Sequence, residues 1–239
     1  MCWRFCPDRV ICTMQHFEKI PVPHCIPSKI LIQYRQYNCA GSDSRSERNH
    51  MKLNFAKDQW NTEEVTYAYS RRFEETPVFV QKEDWVESTE NPAATYGFDN
   101  ISLLTKEKVG TGVKISTECA FFDDGAPLIV LAESLSPDER GVMRYGNYFE
   151  VVLYRNGINV WRLWEEGGKV VWHKRLGVEF PLEPGVWHTL TVETGEKMLH
   201  ITVNGTYRMH LRAEDLFDSF HAGIDACEGI NRFRMLDVE

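Results

Sequence analysis

What is scarce in this chain narrows its possibilities before any motif does. No stretch approaches the ~18 consecutive apolar residues that a membrane-spanning helix needs, so no membrane partner is expected. Basic residues are outnumbered, 27 Lys and Arg against 35 Asp and Glu, for a net charge of −8. Such a chain lacks the concentrated cationic surface that neutralises phosphates, which argues against general nucleic-acid binding. Cysteine almost disappears after residue 39. Only Cys119 and Cys227 follow, both in apolar surroundings where a buried thiol is the default. Sustained 3.6-residue periodicity and fixed-period repeats are also missing, which removes helical bundles, propellers and solenoids. No nucleophile elbow, P-loop or dinucleotide fingerprint appears, and no cofactor is implied.

The first 50 residues differ in composition from the rest. They carry +3 (7 basic against 4 acidic residues), leaving −11 for residues 51–239, and they hold Cys2, Cys6, Cys12, Cys25 and Cys39. Asp8, Arg9, Gln15, His16, Glu18 and Lys19 interrupt every apolar run, so the segment does not read as a secretory signal. Cys6, Cys12, His16, His24 and Cys25 are zinc-ligand types, but the paired CxxC knuckles of structural zinc sites are absent and no metal is assigned. A disulfide scaffold would need an export signal. The expected division is therefore a poorly structured extension, or a start assigned too early, over 1–50, and one folded domain over 51–239. With no signal peptide and few cysteines in the main domain, a cytoplasmic location is expected.

From Met51 onward, short apolar and alternating runs are separated by turn residues. Strands are expected at 65–70, 77–81, 100–104, 112–121, 126–133, 148–155, 158–164, 169–176, 187–194, 198–204, 206–212, 221–226 and 231–239, with a loop at 134–146. Asn156-Gly157, Gly167-Gly168, Gly195-Glu196 and Asn204-Gly205 mark tight turns. Helical hints are confined to "SPDER" (136–140) and "AEDLFDSF" (213–220). About a dozen short strands in one domain predict an all-β antiparallel sandwich closed as a jelly roll.

Two stretches carry a family resemblance. "GVWHTLTVETGEKMLHITVNGTYRMHL" (185–211) resembles the Trp-His strand, turn and "ITVNG" hairpin of concanavalin A-like lectin/glucanase domains. "FHAGIDACEGINRFRMLDVE" (220–239) resembles their closing strands. The resemblance covers about residues 55–239 and implies a concanavalin A-like jelly roll, with 148–164 among the central strands of the concave sheet. It leaves activity open, because the superfamily includes glycosidases, lyases, lectins and binding modules.

The hairpin "NYFEVVLYRNGINVWRLW" (147–164) is where chemistry is sought. A two-residue turn at 156–157 would set Tyr154 opposite Asn159, Val152 opposite Trp161 and Glu150 opposite Leu163, with Leu153, Val160, Phe149 and Trp164 on the core side. A second such turn at Gly167-Gly168 would bring Trp172 beside Leu163 and Lys174 beside Trp161. One sheet face then collects Glu150, Tyr154, Asn159, Trp161, Trp172 and Lys174. Aromatic planes for the C–H face of a pyranose, with polar groups for its hydroxyls, suit an oligosaccharide or polysaccharide partner.

Three alternatives stand beside that reading. Family 16 glucanases carry an E-x-D-x-x-E type strand whose acids act as nucleophile and proton donor, whereas Glu150 shares its face with Val152 and Tyr154. A hydrolase or lyase would have to use Glu150 with its neighbours, or with a second carboxylate such as Asp123, Asp124 or Glu133. An ordinary sheet face with a Glu150–Lys174 ion pair would need no ligand. A structural or protein-interaction sandwich is the third, and oligomeric state is not indicated. "FDDGAP" (122–127) reads as a polar turn and not a calcium loop. His173, His188, His200, His210 and His221 have no HxH or HExxH spacing and imply no shared metal.

Overall fold

Alternating burial is the rule in the strands covered on one side. His188–Gly195 and Tyr207–Arg212 bury every second residue, as expected where successive side chains point to opposite faces. Ala126–Ala132 is buried at all seven positions and Ile101–Thr105 at all five, so these strands are covered on both faces. The computed structural model describes residues 50–92, 97 and 100–239. The expected 1–50 extension and its candidate zinc ligands therefore lie outside the described residues, His50 excepted.

Eighteen strands and no helix occur among the described residues. They are β1 (Met51–Asn54), β2 (Val65–Ser70), β3 (Val80–Gln81), β4 (Val86–Glu87), β5 (Ile101–Thr105), β6 (Val109–Gly110), β7 (Lys114–Phe122), β8 (Ala126–Ala132) and β9 (Leu135–Pro137), then β10 (Met143–Tyr145), β11 (Tyr148–Tyr154), β12 (Gly157–Glu166), β13 (Lys169–Glu179), β14 (His188–Gly195), β15 (Met198–Val203), β16 (Tyr207–Arg212), β17 (Ser219–Cys227) and β18 (Ile230–Val238). One sheet runs β16-β15-β14-β7-β18-β4-β3, with β1 also on β18. The other runs β13-β12-β11-β8-β17-β5-β2-β10-β9, with β6 on β17. Pairing is antiparallel except for β2 with β10. No described helix is long and apolar enough to cross a membrane.

The two sheets enclose one apolar core. Ile115, Phe121, Leu190, Val192, Leu199 and Ile201 of the first sheet join Leu103, Ile129, Leu131, Phe149, Val151 and Ile224 of the second. Burying each such side chain contributes roughly 1.5–3 kcal/mol, so the core fixes which face of each strand looks outward. A smaller apolar cluster lies on the other face of the second sheet, with Ala68, Leu104, Leu128, Val130, Ala132, Tyr148 and Leu163 under Tyr145. The β9–β10 hairpin therefore packs on that outward face and covers part of it.

The all-β sandwich expected from turn spacing is what forms, with local departures that include three short unexpected strands, β1, β4 and β6. The loop expected at 134–146 contains β9 and β10. Asp138 organises this hairpin: its carboxylate accepts from the backbone N–H of Val142 and Arg140 at 2.9 Å and from Arg144 Nε at 3.0 Å. Desolvation raises this carboxyl, but the donors together with the Arg140 charge outweigh it and hold it down to about 2. "SPDER" is thus spent on a strand end and a turn. Residues 213–220 form no helix either, because Leu216 and Phe217 are both drawn into the core. A single turn is left there, with Leu216 N–H donating to Ala213 O at 3.0 Å.

Candidate functional site

The β11–β12 hairpin turns one residue earlier than its Asn-Gly pair suggests. Tyr154 pairs with Gly157, so the turn is Arg155-Asn156. Gly157 is needed inside the strand: it has φ 135°, and a Cβ there would lie 2.0 Å from the carbonyl oxygen of Val178 on β13. The register consequently moves by two residues. Tyr148 is opposite Leu163, Glu150 opposite Trp161 and Val152 opposite Asn159, in place of the expected Glu150–Leu163, Val152–Trp161 and Tyr154–Asn159 pairs. A shift of two leaves every side chain on its expected face. On the core side, however, Phe149 is opposite Arg162 and not Trp164.

Gly167 and Gly168 both have positive φ (58° and 74°) and form the two-residue turn between Glu166 and Lys169. Leu163 then pairs with Trp172, and Trp161 with Lys174, as the turn chemistry predicts. Between Val160 and Trp161 the register slips, leaving Arg175 as the extra residue of a bulge. The result is an outward platform on β11–β13. Trp172 is 53% exposed, Trp161 is half-buried, and Lys174 Nζ lies 5.7 Å from the centre of the Trp161 ring. Half-buried Tyr154 has its hydroxyl beside the buried Asn159 side chain, near Glu179.

Glu150 stands at the inner margin of this platform in a different environment. It is 9% exposed and pairs with Arg72 Nη2 at 3.3 Å, not with Lys174 as an ordinary sheet-surface reading expects. Arg72 follows β2 in a turn closed by Phe73 N–H donating to Ser70 O at 3.1 Å. That turn is tied to β10 through Arg144 Nη1, which donates to Phe73 O at 2.7 Å. Burial pushes the Glu150 carboxyl above the usual range, and the Arg72 guanidinium pulls it partly back.

A second carboxyl lies on the same face two strands away. Glu150 shares a cross-strand row with Val130 and Gly223, and Asp225 sits one pair further along β17, opposite Leu128. Asp225 is 1% exposed, accepts from Ser102 Oγ, and has the Tyr145 hydroxyl at 3.4 Å. Burial raises its carboxyl well above the usual range against the Ser102 bond, and the nearby Glu150 charge raises it further. Tyr148 completes the group, with its hydroxyl 2.9 Å from Ser70 Oγ and its ring edge-on to Tyr145 at 4.7 Å.

Arg72, Ser102, Tyr145, Tyr148 and Asp225 did not emerge from the sequence. The one available signal was Asp225, a lone acid inside an otherwise apolar closing strand. Asp123 and Asp124 lie exposed in the β7–β8 turn, and Glu133 accepts from Asn147 Nδ2 at 2.7 Å, so none of them is the carboxyl that accompanies Glu150. A cavity of about 140 Å³ opens beside Tyr148, bounded also by Ser70, Tyr145, Trp164 and Val170. A larger one of about 400 Å³ lies elsewhere, where Arg162 and Arg175 converge on Asp215. Among the described residues, His50, Asp237 and Glu239 bring ligand-type atoms within 4.8 Å of one another. These atoms are already engaged, His50 with Asp237 and Glu239 with Lys114, each at 2.8 Å.

By sequence the chain matches no protein-family model and no curated protein. By structure it resembles glycan-processing enzymes at very low identity. The agarase A of Zobellia galactanivorans aligns with a TM-score of 0.55 at 10% identity, over 86% of this chain and 98% of that one. A family 16 endo-glucanase from Bacteroides ovatus aligns at 0.54 and 9%, over 79% and 99%. A Bacillus licheniformis β-glucanase aligns at 0.51 and 10%, over 79% and 97%. The architecture of the described residues is thus the concanavalin A-like jelly-roll sandwich that these enzymes share.

Proposed function

We propose that the chain recognises an oligosaccharide or polysaccharide on the outward face of β11–β13 without cleaving it. The observation that carries this reading is the exposure of Trp172 beside Trp161 and Lys174, on a face whose acid Glu150 is already held by Arg72. The indole planes receive the C–H face of a pyranose, and Lys174 and Tyr154 bond its hydroxyls, with Asn159 steadying Tyr154. An agarase sharing the fold is known in complex with oligoagarose, which supports a saccharide as the ligand class. A glycan array of plant and bacterial oligosaccharides tests the proposal. Binding of at least one class, lost in Trp161→Ala, is expected; a parent that binds none, or a variant that binds equally well, rejects it.

One observation favours a second reading, hydrolysis by Glu150 and Asp225. The two carboxyls share a face, and each is held above its usual range. A retaining glycosidase needs its carboxyls ~5–5.5 Å apart and both must reach the anomeric centre. Asp225 is bonded by Ser102 and Tyr145 and is almost fully buried, which weighs against this role. Product release from a polysaccharide panel that disappears in Glu150→Gln, with the fold intact, would put hydrolysis in place of binding.

A further inference from the structure

The outward face of the first sheet carries a histidine pair that spacing along the chain conceals. β15 and β16 run antiparallel with His200 directly opposite His210. Their Nδ1 atoms are 2.5 Å apart, and the rings meet edge-on with centroids 4.8 Å apart. The strands hold the rings there: Leu199 and Ile201 on β15, and Met209 and Leu211 on β16, are buried in the core, so His200 and His210 must point outward. His210 is exposed and His200 half-buried, so a solute reaches the pair without any rearrangement of the fold.

At this separation the two Nδ1 atoms cannot both carry a proton. One N–H donates and the other nitrogen offers its lone pair, so a proton occupies the point on which both nitrogens converge. A metal ion is the other occupant such a point admits. Imidazole nitrogens bind a transition ion at roughly 2.0–2.1 Å, which puts two of them around 3 Å apart about a common ion. Small rotations of two surface rings achieve that opening. The next residue in the same cross-strand row is Glu193 of β14, paired with His200 and exposed. Its Cβ is a near neighbour of the His200 Cβ, at about 5 Å for such pairs, and gives an oxygen donor a short path to the ion. Arg208 and Arg212 flank His210 on β16, with Arg212 engaged by Glu214, and Lys114 lies opposite Glu193 in the same row, engaged by Glu239.

We propose that His200 and His210 form a surface site for a divalent transition ion, with Glu193 as an auxiliary oxygen ligand. Two imidazoles select ions of the zinc, nickel and copper class over calcium and magnesium, which prefer all-oxygen shells. The site lies on the sheet opposite the Trp161 platform and does not depend on the saccharide reading.

Calorimetric titration of the full chain with zinc chloride alone, and separately with nickel chloride, tests the proposal. The parent is expected to bind one more equivalent than His200→Gln and one more than His210→Gln. The double variant should lose no more than either single one, because both residues hold the same ion. Glu193→Gln should retain the equivalent with weaker affinity, and His50→Gln should match the parent. Equal stoichiometry in the parent and the double variant overturns the proposal, as does loss in one single variant but not in the other. A second measurement needs no substitution: substoichiometric copper(II) should broaden the imidazole C–H resonances of both residues together, and leaving both sharp contradicts the site.

Discussion

Two neighbouring regions of one sheet face have opposite fates. Around Asp225 and Glu150, polar side chains are sealed beneath Tyr145, the β9–β10 hairpin and the turn that carries Arg72. Around Trp161 and Trp172, large apolar rings remain in contact with water. Ordinary burial preferences would distribute these residues the other way round. A sealed carboxyl needs partners, and this half of the face supplies Arg72, Ser102 and Tyr145. An exposed indole beside a lysine gains only about 0.5–1 kcal/mol from the cation–π contact, and its larger value lies in what it can contact. The polar half is accordingly read as internal scaffolding and the aromatic half as the working surface.

The largest effect should come from unsealing the polar half. Arg72→Ala leaves Glu150 without its cation in a buried position and is expected to cost about 3 kcal/mol in urea unfolding at neutral pH. Adding Glu150→Gln should recover part of that loss, whereas additive losses would show that Arg72 acts through packing alone. Next comes pH. Asp225 binds its proton more tightly in the folded chain than the ~3.9 of an unfolded aspartate. The native state therefore holds the extra proton between those two values, and stability falls as pH rises from about 4 towards the raised folded value, by about 1.4 kcal/mol per unit of separation. Asp225→Asn should flatten that decline and be at least as stable as the parent at pH 7–8. A steeper decline in the variant would mean that the ionised carboxylate is the form that the fold prefers.

Smaller effects belong to the aromatic half. Trp161→Ala should lower saccharide affinity by about tenfold or more, equivalent to ~1.4 kcal/mol, with a modest loss of stability because the ring also packs on Leu163 and its neighbours. Trp172→Ala should change stability by less than about 0.5 kcal/mol, as is usual for an exposed position. It should still weaken binding severalfold. If Trp172→Ala cost more stability than Trp161→Ala, the division between scaffold and working surface would fail.

The same contrast separates what sequence reveals from what it hides. Strand positions, the sandwich class and the platform residues follow from local chemistry: period-two alternation, and a Gly167-Gly168 turn that sets Trp172 and Lys174 beside β12. The Asn156-Gly157 pair misdirects because Gly157 serves a close approach to β13, a tertiary demand that no two-residue motif reports. Face assignment survived, since the register moved by an even number. Arg72 and Asp225 reach Glu150 only through strand order, with β8 lying between the strands of the two acids, and the β9–β10 cover comes from a segment that reads as loop. His200 and His210 were hidden for the same reason, being neighbours across a hairpin and not along the chain.

The most direct measurement is a crystal structure with the oligosaccharide that binds best on the array. The account predicts a pyranose ring against Trp161 and Trp172, a hydroxyl near Lys174, and Arg72 still on Glu150. A sugar seated over Asp225, with the Arg72 turn displaced and Trp172 untouched, would contradict it.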